Sequence, residues 1–343
     1  MDVSELAPDD IERWDEYVFN AGDGHPFQLS GWRVVMQECY GYPSWYLIAR
    51  EGIQTVGVLP LFKVASKLVG TSITSLPRGF CAEKPAAARA LLERAKDITR
   101  SADAACLVIR GSGRPWGDEL CWRDDCTVAV RELPGDSQAL HKQLKQRIRQ
   151  HIRKAEAFGV QTESGTECVD DFYHTFCDLM HEKGVPAFSR AFLDAVVKEL
   201  RHHIVITTAR LDGQVIGAIF HFRLRDTLFA LWGGAPSRYR EFRPSHALWW
   251  ESMRYAADNG CRYLDMGRSL RGSGLEVFKE RWGGTTRPIH RLYLSFGGGI
   301  VYDPLEETGG NLRYRVFTRA WSRLPRPVVR FLGPRLRRHM PFG

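Results

Sequence analysis

The chain has 343 residues, more than one compact core usually holds, and its 44% hydrophobic and 26% charged content is that of an ordinary globular protein. Forty-eight Lys and Arg against 40 Asp and Glu leave a formal charge of +8, which favours phosphate, nucleic acid or an anionic membrane face as partner and says nothing about fold. No stretch approaches the roughly 20 apolar residues of a membrane span. The acidic start "MDVSELAPDDIERWDEYV" lacks the basic and apolar regions of a secretory signal, and eight Cys without CxxC spacing exclude a zinc site or disulfide framework. They read as reduced thiols of a cytoplasmic protein.

In chain order, "WYLIARE", the turn Glu51-Gly52 and "IQTVGVLPLF" predict an antiparallel hairpin. A helix over "AAARALLERAKDITRSADAA" then leads into the strand "CLVIRG". The following "GSGRPWG" is a turn, because Pro115 interrupts the helix that a dinucleotide-binding loop needs. In "LHKQLKQRIRQHIRKAEAFGV", Leu144, Ile148, Ile152 and Ala155 recur at helical spacing, so one face packs, the Lys and Arg occupy the others, and Gly159 closes the helix. Asp170 and Asp171 are read as caps of the helix "FYHTFCDLMHEKG", which Gly184 closes.

"VITTARLDGQVIGAIFHF" then repeats the first hairpin. Ala209, Arg210, Ile216 and Gly217 match Ala49, Arg50, Val56 and Gly57, each pair 160 residues apart, which predicts a duplicated domain. A helix over "SHALWWESMRYAADNG" and a strand over "CRYLDMG" complete a second mixed α/β unit. Division is expected at 1–135 and 136–300, with a tail at 301–343. In that tail, Val316, Phe317, Ala320, Trp321 and Leu324 form an apolar stripe, and Arg319–Gly343 carries seven Arg and no acid. It is suited either to an anionic membrane surface or to docking on its own domain.

The chemistry is concentrated in "DMGRSLRGSGLEVFKERWGG". A strand ending in Asp265 is expected to give way to a glycine-rich turn with Arg268, Ser269 and Arg271, then a short helix with Lys279 near its end. Glycine-freed amides and Arg suit an anionic oxygen, and a surface turn with solvated Arg is the alternative. No HExxH, Walker loop or GxSxG is present.

"GRSLRGSGLEVFKERWGG" resembles the GRS...G...FK..WG signature of Fem-like proteins, in the FemAB-related branch associated with exosortase and PEP-CTERM exopolysaccharide systems. "FQLSGWRVVMQECYGY", "GVLPLF", "LKQRIRQHIRKAEAFGV", "MHEKGVPAFSRAFLDAV" and "LPRPVVRFLGPRLRRHMP" resemble further family segments in the same order. The resemblance implies two tandem GNAT-like domains, each a mixed, mostly antiparallel sheet flanked by helices, and acyl or aminoacyl transfer to an amine. Lys279 takes the place of the family's lysine, with Asp265 as a second catalytic candidate that either orients a cation, accepts a proton or pairs with Arg. Arg268, Ser269, Phe278 and Trp282 are the candidate donor-binding residues of the motif.

Acyl-CoA-using GNAT enzymes hold pyrophosphate on [QR]xxGx[GA] at a helix start; here "REFRPS" puts Arg243 and Ser245 where glycines belong, and Arg243 remains a phosphate contact. His246 beside it reads as a cap or surface residue. In the first half "RGFCAEKP" departs from the expected glycine-rich stretch and leaves Arg78 and Lys84 as acceptor candidates. The resemblance thus implies no permanently bound cofactor, a donor that is aminoacyl-tRNA or acyl-CoA, and an amine-bearing envelope or polysaccharide precursor as acceptor. The expected location is cytoplasmic, with tRNA and an anionic membrane surface as further partners.

Overall fold

The computed structural model describes residues 1–66, 70–112, 122–296 and 312–339. The first half runs β1 (Asp2–Glu5), α1 (Ile11–Asn20), α2 (Gly31–Tyr40), β2 (Ser44–Glu51), β3 (Gln54–Ser66), β4 (Gly70–Ser75), β5 (Cys81–Ala82), α3 (Pro85–Ser101), β6 (Cys106–Ser112) and β7 (Trp122–Glu132). After α4 (Ser137–Gln143) and α5 (Gln146–Ala157) the order recurs. It reads β8 (Gln161–Gly165), α6 (Val169–Glu182), α7 (Arg190–Leu200), β9 (Ile204–Leu211), β10 (Gln214–Leu224), β11 (Thr227–Gly234), α8 (Pro244–Asp258), β12 (Tyr263–Leu270), α9 (Gly274–Arg281) and β13 (Thr285–Ser295). The chain closes with α10 (Leu312–Trp321) and α11 (Arg326–Arg337).

The duplication read from the hairpins holds at the level of register. Ala49 pairs with Gly57 and Arg50 with Thr55, with a bulge between; Ala209 pairs with Gly217 and Arg210 with Val215, with a bulge at the same place. Each glycine lies under a helix: a Cβ on Gly57 would sit 3.0 Å from Leu91 Cδ1, and one on Gly217 would sit 2.8 Å from Leu248 Cδ1. Both copies also hold a short parallel pair, β4 with β6 and β11 with β12, of three residue pairs each. The two copies are mixed sheets in which every other strand pairing is antiparallel, as expected.

The last strands are exchanged. β13 pairs with β6 of the first copy, β7 pairs with β12 of the second, and β7 and β13 pair with each other. One sheet therefore runs β1-β2-β3-β4-β6-β13-β7-β12-β11-β10-β9-β8, with β5 on β3. Behind it one aromatic core joins the halves, where the fully buried Trp32 of α2 lies 6.3 Å from Phe192 and 6.0 Å from Phe222.

Several local expectations change. The basic segment is two helices, because Leu144 and Lys145 are extended between α4 and α5, which lets both helices pack on α8. Asp170 and Asp171 are not caps: Cys168 precedes α6 without a side-chain cap, and the two carboxylates, in the helix's first turn, pair with Arg190 and Arg210. Gly184, at φ +71°, does close that helix. The strand expected to end at Asp265 continues to Leu270 through a bulge, so Arg268 and Ser269 belong to β12 rather than to a turn. "GSGRPWG" lies outside the described residues from Gly113 onward, as do residues 301–311 and 340–343 of the tail. Among the described residues all seven Cys are free thiols, no group of acids, His and Cys is placed to hold a metal, and no helix is long and apolar enough to cross a membrane.

The close approach of helix to sheet at the paired glycines yields a direct test. Gly217→Val forces a branched side chain against Leu248 and Ala235, and Gly57→Val does the same against Leu91 and Ala82. Each substitution is expected to cost about 1–3 kcal/mol in urea denaturation, by similar amounts in the two copies.

Candidate active site

The site begins where β11 and β12 separate. Their parallel pairing ends at Phe229 with Asp265, although both strands run on. Backbone groups beyond that point need other partners. Lys279, brought in by α9, supplies them: its Nζ donates to the carbonyls of Gly267 at 2.7 Å and Arg268 at 2.8 Å. In the first copy the corresponding carbonyl, Arg110 O, accepts instead from the backbone N–H of Arg78 at 2.8 Å, so the strands there are laced together. The second copy stays open.

The opening is a cleft of about 900 Å³. Its basic wall is made by Arg147 and His151 from α5, Arg240 and Arg243 before α8, His246 in the first turn of α8, and Arg281 of α9. An aromatic group, Phe27, Phe176, Phe188 and Trp232, lines it as well, with Phe188 and Trp232 rings 5.2 Å apart. Arg243 is left-handed at φ +60°, and Pro244 takes the first helical position, where its missing N–H costs nothing. Two buried atoms on this wall, Arg243 Nε and His246 Nδ1, have no hydrogen-bond partner among the described residues. Buried polar atoms are normally paired, and these two leave hydrogen-bonding capacity open on this wall of the cleft.

Burial, then His151 4.5 Å away and Arg243, bring the His246 pKa down to about 4. Burial likewise lowers that of His151, reinforced by Arg243 and Arg147. Both imidazoles are therefore neutral at pH 7. Lys279 is 2% exposed, and burial pulls its pKa to about 8, with Asp265 opposing and Arg268 and Lys183 assisting. An ammonium has three donors and two are committed, leaving a third in a largely dry cleft.

Asp265 is 4% exposed and fully engaged. Its Oδ2 accepts from Arg78 Nη2 at 2.6 Å across the two halves, and its Oδ1 accepts from Gly267 N at 2.8 Å. Both of its oxygens are thus held by donors of the protein itself, one from each half. Arg78, at φ +74°, also offers its carbonyl to Gln28 Nε2. The buried His25 beside it accepts from Phe27 N, and its pKa is depressed by burial and by Arg78.

Of the residues proposed from sequence, Asp265, Lys279, Arg243, Ser245, Arg268 and Phe278 line the cleft. Ser269 and Trp282 do not; both are buried, and Trp282 packs 5.9 Å from His246, supporting the wall from behind. Lys84 pairs with Glu51 on the surface away from the cleft, whereas Arg78 is at its centre. His246 is neither cap nor surface residue: α8 has no side-chain cap, and the ring faces the cleft. Arg147 and His151 were hidden in the basic segment, where their i, i+4 spacing gave no reason to single them out from Lys145 and Arg149. Arg149 instead donates to the carbonyls of Lys142 and Leu144, closing α4.

Residues 142–280 match the family model described as the acetyltransferase (GNAT) domain. The matched span takes in α5, α8 and most of α9, the elements that carry the basic wall and Lys279. No curated protein matches the chain by sequence. Among solved structures the chain is similar to FemX at 14% identity, covering 87% of this chain and 98% of that one with a TM-score of 0.66. It is similar also to a tandem GNAT protein from the clavulanic acid biosynthesis pathway (11% identity, 87% and 99% covered, TM-score 0.55). A third likeness is to L-PGS from Bacillus licheniformis (12% identity, 94% and 99% covered, TM-score 0.56). With the internal duplication, these likenesses show the fold: two tandem GNAT-like domains.

The Lys279 ammonium has a measurable signature. Its proton is held less tightly in the folded protein than in the unfolded chain, so folding stability is lowest below pH 8 and recovers as pH rises from about 8 to 10.5. NMR titration of lysine-labelled protein should find one amine titrating near pH 8. Lys279→Met should remove both that resonance and this part of the pH dependence of stability.

Proposed function

We propose that the chain is an N-acyltransferase that moves an acyl or aminoacyl group from a phosphate-bearing donor to an amine on a cell-envelope or exopolysaccharide precursor, working in the cytoplasm at the inner face of the membrane. The division at residues 135 and 300 is part of this reading, as is the absence of a permanently bound cofactor. The observation that carries it is the basic wall at the start of α8, with its two unpartnered buried atoms, facing Lys279 across one cleft. Donor phosphate would meet Arg243, Ser245 and Arg147 at the helix N-terminus, where amides and dipole favour an anion.

Attack by the acceptor amine turns the donor carbonyl into a tetrahedral oxyanion. A lysine cation in a dry cleft stabilises that charge, and the donor's ester or thioester oxygen or sulfur then leaves as the carbonyl re-forms. Lys279 is the candidate for this cation, and its contacts to the β12 carbonyls fix its position beforehand. Asp265 acts through Arg78, keeping the two halves in register around the cleft. Neutral His246 is a candidate to contact donor phosphate or to relay the proton released by the amine.

The donor is either aminoacyl-tRNA or acyl-CoA. The basic exposed face of α5 beside the cleft favours a long polyanion such as tRNA, as does the loss of both glycines from "REFRPS". Acyl-CoA transfer to a small molecule is the second reading, supported by the acetyltransferase (GNAT) match itself.

Calorimetry with CoA and with charged tRNA separates the two: the true donor binds saturably, and Arg147→Glu with Arg243→Glu weakens it at least about tenfold, more at low salt. On an identified substrate pair, Lys279→Met is expected to lower kcat by about 10²–10³ with the fold retained. Unchanged turnover removes Lys279 from the mechanism.

A further inference from the structure

The C-terminal helices pack on their own protein by one face only. Among the described side chains, Trp321 is buried on α10, and Val329 and Gly333 are buried on α11. Thr318 closes over Gly184 at the end of α6, a Cβ on Gly333 would sit 3.5 Å from the Ala187 backbone, and Tyr42 donates to Arg338 O at 2.5 Å. Docking on the protein itself is therefore satisfied. It leaves a second face in water.

That second face has an unusual composition. Arg315 and Arg319 of α10 and Arg323 of the turn after it are exposed beside Val316, which is 58% exposed. On α11 the row Val328, Phe331 and Arg335, continued by Arg338 just past the helix end, lies opposite Val329 and Gly333, and Phe331 is 61% exposed with the Arg335 guanidinium 3.8 Å over its ring. Residues 312–339 contain nine Arg and no Asp or Glu. Exposed valine and phenylalanine interleaved with arginine gain nothing in water. They match a bilayer interface, where phosphates meet the cations and the acyl boundary takes the rings and branched chains.

We propose that the exposed face of α10 and α11 is a docking surface for an anionic lipid bilayer. Charge complementarity selects the anionic surface, and the exposed valines, Val316 and Val328, on which no base can stack, select lipid over nucleic acid. The anchor also adjoins the cleft, because α10 covers Gly184, next to the cleft residue Lys183, and α11 covers Ala187, next to the cleft residue Pro186. A chain lying on its tail would hold the transfer site close to the lipid surface. This deepens the location given in the reading above and rests on that reading for location alone.

The test is sedimentation of the full chain, without any acyl donor, with vesicles of phosphatidylcholine alone or with about one-third phosphatidylglycerol. The wild type should sediment with the anionic vesicles and remain in solution with the neutral ones. Val316→Ser with Phe331→Ser, and separately Arg319→Glu with Arg323→Glu, should each lower the partition coefficient at least about tenfold. All four side chains are exposed and outside the cleft, so the midpoint of urea denaturation should stay unchanged and report an intact fold. Equal recovery of wild type from both vesicle types overturns the proposal. So does a serine double variant that binds anionic vesicles as well as wild type while tRNA displaces both, since the face would then serve nucleic acid. Neither outcome bears on the transfer reaction, and a loss of transfer in Lys279→Met leaves the vesicle result standing.

Discussion

Where two parallel strands part, their facing amides and carbonyls lose each other and must be satisfied by something else. The two copies of this fold solve that problem differently. In the first, Arg78 N reaches Arg110 O, and the hydroxyls of Ser75 and Thr74 accept from Arg110 N and Nε, so the gap is closed. In the second, the side chain of Lys279 takes the carbonyls of Gly267 and Arg268, which leaves space between β11 and β12 for a ligand. The asymmetry assigns the work: the laced copy is a platform, and the open copy carries the cleft. Arg78, whose amide closes the first copy, extends its guanidinium to Asp265 in the second, so the closure of one half positions the floor of the other.

The protein's positive charge divides into separate features with different surroundings. In the cleft, arginines from α5, α9 and the turn before α8 surround two imidazoles that burial and those same arginines keep neutral. Neutral rings add hydrogen-bonding atoms without adding to the repulsion among cations. On the tail, the arginines are in water and accompany apolar side chains. A net charge of +8 describes neither arrangement.

The repeated hairpin was legible because the residues at a bulge and a glycine under a helix recur 160 residues later. Lys279 and Arg243 were legible through the motif and the helix start. The Arg78–Asp265 pair, 187 positions apart, was not, since nothing local distinguishes an arginine aimed across a domain boundary from a solvated one. His246 was misjudged for a related reason: its burial comes from Trp282, Phe278 and His151, which reach it from α5 and α9. The acids of α6 were taken for caps because their position suited that role, but partners on other elements claimed their carboxylates. Local chemistry predicts elements well, whereas partnerships between elements are decided by topology.

The exchange of final strands also sets an order of events during synthesis. β6 acquires its outer neighbour only when residues 285–295 have been made, and β7 cannot reach its place until 263–270 are available. An N-terminal half emerging from the ribosome therefore presents an unpaired edge through most of the remaining translation, a state prone to wrong pairing. Such a chain folds late and as a whole, so that separating the copies into independent pieces would leave each with an edge that only the other can cover.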